Sequence, residues 1–461
     1  MVNALLNTDS YKPSHYLQYP SNVKYVSSYI ESRGGDYPYT LFIGPQMFCK
    51  EYLTKPITNN DIWEAREFLA GHGLPFNKEG WEYIVNRHGG VLPLRITAVK
   101  EGSVLPTRNV LMQVENTDPE VPWLTSYLET ALLRAVWYPT TVATRSYFIK
   151  QIIKKALEDS GADVDAELSF RLHDFGARGT SSFESAGLGG CAHLVNFLGS
   201  DTISGALYAR AYYGATMPSF SIPAAEHSTI MAWGPDHEAD AFRNMIDKFA
   251  KPGKMVAVVS DTYDIFHAVS KLWGHDLKDL VEKSGGTLVV RPDSGDPTVV
   301  PVQVIDKLGA AYGFTTNAKG YRVLKTVRVI QGDGVNEKSI AKCLENLLAA
   351  GWSAENLAFG MGGELLQTVH RDTLRFAMKA SAIAGENKVW KPISKSPVTD
   401  EGKASKADRL RLVAVPGAHG NGYLTVREDD TRYKDNLLEP VWSNGVLERD
   451  QTWDEVRQRA S

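Results

Sequence analysis

Four short apolar runs, at 255–259, 288–290, 327–330 and 357–359, each stop at a cluster of glycines, acids or an arginine. The first runs into Ser260-Asp261 and the second into Arg291-Pro292-Asp293-Ser294-Gly295-Asp296. The third meets Gln331-Gly332-Asp333-Gly334 and the fourth Gly360-Met361-Gly362-Gly363. Helix-like stretches at 263–274, 299–311 and 337–350 fill the gaps. Strand, helix and strand at this spacing require βα units and a parallel sheet. In such sheets and barrels a ligand sits at the carboxyl ends of the strands, where the clusters would gather. Glycine-backed amides and Arg291 suit phosphate, whereas Asp261, Asp293 and Asp333 suit ribose hydroxyls or a divalent ion. A phosphorylated sugar is the ligand this pattern favours.

The 461 residues are too many for one simple core, so two domains are expected. A net charge of −4 argues against a nucleic-acid or anionic-membrane surface as the main partner. No apolar stretch approaches the roughly 18 residues of a membrane span. The segment from Met1 to Asp9 has no basic region before an apolar one, so no signal peptide is expected. Cys49, Cys191 and Cys343 are far apart and in no metal spacing, and Cys343 reads as a small core residue on an amphipathic helix. A reducing, cytoplasmic compartment follows.

Residues 1–150 mix strand and helix signals without a regular beat. Strands are expected at 91–99 and 110–114, and helices at 61–70 and 123–136. Regular alternation runs from 151 to 379, and the pattern turns mixed again from 380 to 461, with strand-like segments at 388–390, 411–415 and 422–427. The polar 395–408 stretch, with Pro397, Gly402 and several lysines, reads as a long mobile loop. The expectation is an α/β protein in which 1–150 and 380–461 form one sandwich domain with the 151–379 barrel inserted between them.

Several motifs carry chemistry, each with a plainer reading beside it. In Leu172-His173-Asp174-Phe175-Gly176-Ala177-Arg178-Gly179, the glycines allow a sharp turn, Arg178 can fork onto a phosphate and Phe175 can offer a ring face. Alternatively, Phe175 is core and Arg178 pairs with Asp174. His227, beside Glu226 in Ser221-Ile222-Pro223-Ala224-Ala225-Glu226-His227, suits a general base, a ligand or a nucleophile, or is a satisfied core histidine. His237 lies ten residues on, with no third ligand at helical spacing, which disfavours zinc. Asp201, before an apolar helical run, is a candidate polar ligand or an ordinary N-cap. Asp9-Ser10-Tyr11-Lys12 reads as a solvated cap, and Lys395, Lys403, Lys406 and Arg409 as a solvated loop.

Taken together, Asp9-Ser10-Tyr11-Lys12, HDFGARG at 173–179, SIPAAEHSTI at 221–230, VVSDTYDI at 258–265, VVRPDSGDP at 289–297, VIQGDG at 329–334 and AFGMGGELLQ at 358–367 closely resemble the nicotinamide phosphoribosyltransferase family. The likeness runs in one order from residue 3 to beyond 425. It implies the irregular α/β barrel of the type II phosphoribosyltransferases with an α/β sandwich domain. The implied reaction joins nicotinamide to 5-phosphoribosyl 1-diphosphate, releasing diphosphate, with Mg2+ held mainly through the diphosphate and ATP as a coupled substrate. It also implies a homodimer whose two active sites each borrow residues from the neighbouring chain.

Carried onto matching positions, the resemblance makes Phe175 and the other chain's Tyr11 the faces of a ring sandwich. Asp201 would accept from the carboxamide, and Arg291 would lie beside ring and phosphates. Asp293 with the Gly332-Asp333 turn would hold ribose hydroxyls; Gly362, Gly363 and Arg371 would hold the 5′-phosphate. Arg178, with the other chain's Arg33, Lys395 and Lys403, would hold diphosphate. His227 would be phosphorylated by ATP and would be catalytic together with Arg291, Asp293 and Asp261, and Asp9 and Pro292 fall among the substrate-binding residues. Ala177, Met361 and Glu364 stand where the family commonly has tyrosine, serine and a small residue. An acid-using nicotinate enzyme is the nearest alternative, and Asp201 speaks against it because a carboxylate there repels a second carboxylate. A non-catalytic nucleotide-binding or signalling protein on the same scaffold is a second alternative. A Schiff-base aldolase is a third, but it would need a lysine at a strand end and none of the four tips carries one.

Overall fold

In the computed structural model, which describes residues 3–399, 404–415 and 422–461, the chain forms two compact units. The first comprises Met1–Thr144, Ala211–Ala215 and His370–Ser461, and the second Arg145–Arg210 and Thr216–Val369. The sequence reading drew its divisions at 150 and 380. The strand Phe376–Ala384 straddles the second of these and pairs antiparallel with Tyr25–Ser32, which draws all of it into the first unit.

The first unit is built on an antiparallel sheet. Its order is Trp390–Pro392, Phe376–Ala384, Tyr25–Ser32, Val110–Asn116, Leu94–Ala98, Glu439–Ser443 and Val446–Leu447. Tyr25–Ser32 is buried at every position and paired along both edges. A hairpin of Leu410–Ala414 and Tyr423–Arg427 adds to this unit. The short return at 211–215 is anchored here: Tyr213 donates its hydroxyl to the buried Glu101 at 2.5 Å, and Tyr212 accepts from Gln46 at 2.8 Å. The helix expected at 123–136 is instead a short turn of helix, Leu124–Tyr127, followed by Glu129–Asp159, which continues through Pro139.

The second unit is the parallel structure that the βα spacing requires. Its strand order is Gly199–Ser200, Leu172–Asp174, Leu357–Met361, Val327–Gln331, Thr287–Arg291 and Met255–Val259, parallel throughout. Two isolated parallel bridges, Gly199 to Phe220 and Ala224 to Ala257, place the 220–224 segment against both edge strands. That segment acts as a last stave and closes the sheet into an irregular barrel. Strands such as Met255–Val259 are buried on consecutive residues, as expected when both faces are covered. Helix Glu337–Ala349 opens with an Asn336–Ser339 capping box and buries Ile340, Cys343, Leu344 and Leu347 at helical spacing, so Cys343 is core. Cys49 and Cys191 are likewise buried. Among the described residues no helix is long and apolar enough to cross a membrane.

Candidate active site

Each strand of the second unit ends on the cluster read from the sequence. Leu172–Asp174 delivers Phe175, Met255–Val259 delivers Asp261, and Thr287–Arg291 ends on the arginine itself, followed by Asp293. Val327–Gln331 leads into Gly332 and Asp333, and Leu357–Met361 into Gly362 and Gly363. The parallel register brings these tips to one end of the barrel.

The centre of the site is a histidine held between two acids. His227 is the first residue of helix His227–Met231, which Glu226 caps. Its Nε2 lies 3.4 Å from Asp293 Oδ2 and 3.8 Å from Asp261 Oδ1, and its Nδ1 lies 3.2 Å from Thr262 Oγ1. Asp261 ties two loops together: its Oδ2 accepts from the Asp293 amide at 3.1 Å and from Ser294 Oγ at 2.5 Å. Its other oxygen, Oδ1, is buried without a hydrogen-bond donor. Arg291 Nε stands 3.6 Å from Asp293 Oδ1 and is also buried without a partner, so it is poised for an incoming anion. A partly exposed histidine between carboxylates is reactive geometry rather than that of a core histidine.

Next to this cluster, a cavity of about 750 Å³ runs down the barrel. Phe175, Asp201, Ser221 and Arg291 line it near the strand tips, and Arg171, Lys254, Lys325 and Arg328 line it near the strand starts. Ala257, Val289 and Ile330 form an apolar wall, with Phe175, Ile222 and Ala358 packed on it. Two glycines make room for Phe175 and Asp293. A Cβ on Gly360 would fall 2.0 Å from Phe175 Cε2, and one on Gly332 would fall 2.9 Å from Asp293 Oδ1. Asp201 is exposed at the cavity wall and accepts from Ser221 Oγ at 2.5 Å. The plain N-cap reading is therefore replaced: Ser200 Oγ accepts from the Thr202 amide at the start of the helix, which leaves the Asp201 carboxylate facing the cavity. Burial holds the His173 imidazole below its ordinary pKa, partly offset by Asp201.

Two glycine-rich loops meet at the ring end. Gly179 and Gly363 approach so closely that a Cβ on Gly179 would lie 3.0 Å from Gly363 Cα. Phe175 N donates to Met361 O at 2.9 Å, which locks the two loops together. Arg178 is exposed and makes no ion pair among the described residues, so the pairing with Asp174 considered from sequence does not form. Asp174 is fully buried instead.

The candidates of the first unit stand in their own environment. Thr130 Oγ1 donates to Asp9 at 2.6 Å, and the Tyr11 ring is exposed, 5.1 Å from that of His15. Arg33 Nε donates to Glu31 at 3.2 Å while its Nη2 is buried without a partner. Arg371 lies beside Asp372 at 3.2 Å, and Lys395 is exposed. Lys406 and Arg409, read from sequence as solvated, are both paired: Lys406 with Glu31, and Arg409 with Glu115 at 2.6 Å and with Glu428. Lys403 and Gly402 lie outside the described residues.

Other residues join the site without having been singled out. Ser221, Thr262 and Ser294 orient the acids and the histidine, and nothing in a lone hydroxyl's sequence context marks it for that work. Glu238 is buried with an unpartnered Oε1, and burial, Asp264 and Asp261 push its carboxyl up to about 7. Among the described residues no group of three or more His, Cys, Asp or Glu forms a metal cage.

Comparison with known proteins agrees with this geometry. The model of the nicotinate phosphoribosyltransferase (NAPRTase) family matches residues 170–441, and that of the nicotinamide phosphoribosyltransferase N-terminal domain matches residues 3–96. The chain is 52% identical over 460 residues to a nicotinamide phosphoribosyltransferase of Xanthomonas campestris pv. campestris (strain 8004), covering 99% of this chain and 98% of that one. It is 30% identical to a nicotinamide phosphoribosyltransferase of Acinetobacter baylyi, covering 99% and 97%. Among solved structures, nicotinate-nucleotide pyrophosphorylase from Pyrococcus furiosus superposes with a TM-score of 0.62 at 17% identity, covering 99% of this chain and 94% of that one. Human nicotinic acid phosphoribosyltransferase gives 0.53 at 19%, covering 98% and 92%. The structural likeness defines the fold class, that of the type II phosphoribosyltransferases. Within it, the chain belongs to the nicotinate phosphoribosyltransferase family, in its nicotinamide phosphoribosyltransferase branch.

Proposed function

We propose that this enzyme transfers the 5-phosphoribosyl group from 5-phosphoribosyl 1-diphosphate to nicotinamide, giving nicotinamide mononucleotide and diphosphate in NAD salvage. The observation that carries the choice of substrate is the Asp201 carboxylate on the wall of the cavity that Phe175 also lines. A carboxylate accepts from the amide NH₂ of nicotinamide and repels the second carboxylate of nicotinic acid. Phe175 offers the pyridine a ring face.

The reaction needs little proton chemistry. The ring nitrogen attacks C1 of the ribose, the C1–diphosphate bond breaks, and the pair of electrons leaves with diphosphate. No proton has to be removed from the nucleophile, so positioning and charge dominate. Positive charge on the ribose is met by Asp293, and Asp293 and Asp333 suit its hydroxyls. Negative charge on the leaving group is met by Arg291 and Arg178, and the Gly362-Gly363 turn with Arg371 suits the 5′-phosphate. The unpartnered Asp261 Oδ1 and the nearby Asp293 carboxylate fit a magnesium ion carried mainly on the diphosphate. Such an ion would neutralise charge on the leaving group.

ATP coupling is read from His227. Transfer of the terminal phosphoryl group of ATP to its imidazole, with ADP leaving, would give a phosphohistidine that water later cleaves. In a cytoplasmic homodimer, the other chain's Tyr11 would close the ring sandwich, and its Arg33, Lys395 and Lys403 would join the diphosphate pocket. The direct test is a product assay with nicotinamide and 5-phosphoribosyl 1-diphosphate. One nicotinamide mononucleotide should form per diphosphate released, and diphosphate release without mononucleotide would overturn the reading.

A further inference from the structure

Asp174 holds a position that the chemistry above leaves unused. It ends the strand Leu172–Asp174, paired with Met361 on one side and Ser200 on the other, and it is fully buried. Its three acceptor groups reach different parts of the pyridine site. Its backbone carbonyl accepts from the Asp201 amide at 2.9 Å. Its Oδ1 accepts from the Gly176 amide at 2.7 Å, directly after Phe175. Its Oδ2 has no hydrogen-bond donor. Thr202 Oγ1, buried and likewise outside hydrogen-bond geometry, is near enough for its hydroxyl to favour the ionised form, against the larger effect of burial. Helix Phe183–Leu194 roofs both groups at Gly190, where a Cβ would lie 2.9 Å from Thr202 Cγ2 and 3.3 Å from Asp174 Oδ2.

Among the described residues no cation is paired with this carboxyl. The charged group acting on it from the adjoining loop is Asp201, of the same sign. His173, one residue before it on the strand, turns its Nε2 to Phe170 O at 3.0 Å, and burial keeps that ring on the neutral side. His193, on the roofing helix, is engaged by Ser146 Oγ at 2.9 Å and Gly199 O at 3.3 Å. The neighbour on the Leu357–Met361 strand is Met361, without charge. A carboxylate in such a place is costly because burial removes its hydration with no counter-charge beside it, a cost that the neutral acid avoids.

We propose that Asp174 is a positioning residue of the pyridine site, a neutral acid that ties Phe175 and Asp201 into one frame. The proposal rests on the reading that those two residues hold the ring. Burial first, and then Asp201, push the Asp174 carboxyl up to about 7. The acid is therefore neutral below that pH. Above it, ionisation sets a second anion beside Asp201 and loosens the frame. An unfolded aspartate ionises near about 4. The stabilising effect of a neutral Asp174 is thus complete below about 4, declines as pH rises to about 7, and then levels off.

The test compares wild type with Asp174→Asn and Asp174→Ala. Asparagine keeps the acceptor for Gly176 and supplies a donor toward Thr202 without a proton to lose. The nicotinamide KM of wild type should rise several-fold from about pH 6 to about pH 8.5, while that of Asp174→Asn stays flat with kcat within about threefold of wild type. Asp174→Ala should raise KM about tenfold or more at every pH. The Tm of Asp174→Asn relative to wild type should increase between about pH 4 and about pH 7. If neither variant folds, infrared difference spectra of wild type should show a protonated-carboxyl band lost between about pH 6 and about pH 8. An asparagine variant that keeps the wild-type KM slope and shows no pH-dependent Tm gain would overturn the proposal, as would the absence of that band. The ring reading fails separately: an Asp201→Asn enzyme with unchanged nicotinamide KM would refute it, while the Tm comparison would still report on Asp174.

Discussion

Replacing Gly360 by alanine should damage the pyridine site by displacing Phe175, without removing any group that meets the substrate. The alanine Cβ would sit 2.0 Å from Phe175 Cε2, 2.2 Å from Cδ2 and 2.7 Å from Cζ. Carbon atoms settle at about 3.5–4.0 Å, so the ring must move by about 1.5–2 Å. It can yield only toward the cavity, away from its stacking position, because its other side is packed on the Ala257, Val289 and Ile330 wall. Overpacking of this kind costs about 1–3 kcal/mol of stability. Losing the stacking geometry removes a further 0.5–1.5 kcal/mol or so of ring affinity. The affinity loss gives an expected nicotinamide KM about 2–13-fold above wild type, with the KM for 5-phosphoribosyl 1-diphosphate within about threefold, while the overpacking lowers the melting temperature. Steady-state kinetics in both substrates, with thermal melting as a control for folding, reads this directly. A well-folded Gly360→Ala enzyme with unchanged nicotinamide KM would show that Phe175 does not carry the ring.

Three further outcomes are expected. His227→Ala should abolish ATP hydrolysis and lower turnover at low 5-phosphoribosyl 1-diphosphate while leaving some ATP-independent synthesis; ATPase activity surviving in the variant would remove His227 from that role. Wild type incubated with ATP should also carry an acid-labile phosphate on the peptide containing His227, detectable by mass spectrometry. Homodimers of Tyr11→Ala and of Phe175→Ala should each bind nicotinamide poorly, because an aromatic pair contributes about 0.5–1.5 kcal/mol. Mixing the two should restore activity through heterodimers with one intact site, and no recovery despite verified subunit exchange would mean that each chain builds its own.

The second unit was legible because its signals are local. Strand Met255–Val259 is an unbroken apolar run, and helix Val300–Tyr312 repeats apolar residues at helical spacing, so periodicity alone finds both. The stave at 220–224 was not visible, since it makes only single bridges and contains Pro223. In the first unit, strand Tyr25–Ser32 was missed although every residue in it is buried. It carries Ser27, Ser28, Glu31 and Ser32, and Glu31 is satisfied by Arg33 and Lys406, the latter far away in sequence. Burial there depends on long-range pairing that no local pattern encodes. The helix through Pro139 defeated the breaker rule, because Thr140 and Thr144 bond to the Ile43 and Leu41 backbone and hold that stretch from outside. At the site, the acids and glycines were evident from strand-end chemistry. The hydroxyls of Ser221, Thr262 and Ser294 were not, because a hydroxyl becomes functional only through the group it faces.

The claim that Asp201 selects the amide can be tested by one measurement, the ratio of kcat/KM for nicotinamide over nicotinic acid in wild type and in Asp201→Asn. Two like charges about 4 Å apart repel by about 1 kcal/mol in water and about 4 kcal/mol near a protein surface. Asp201 is solvent-exposed, so the real value should fall between those limits. The wild-type ratio should therefore favour nicotinamide, and the asparagine variant should lower it by about 5- to 1,000-fold through gained use of the acid and weakened use of the amide. A wild type that prefers nicotinic acid, or a ratio that the substitution leaves unchanged, would contradict the account.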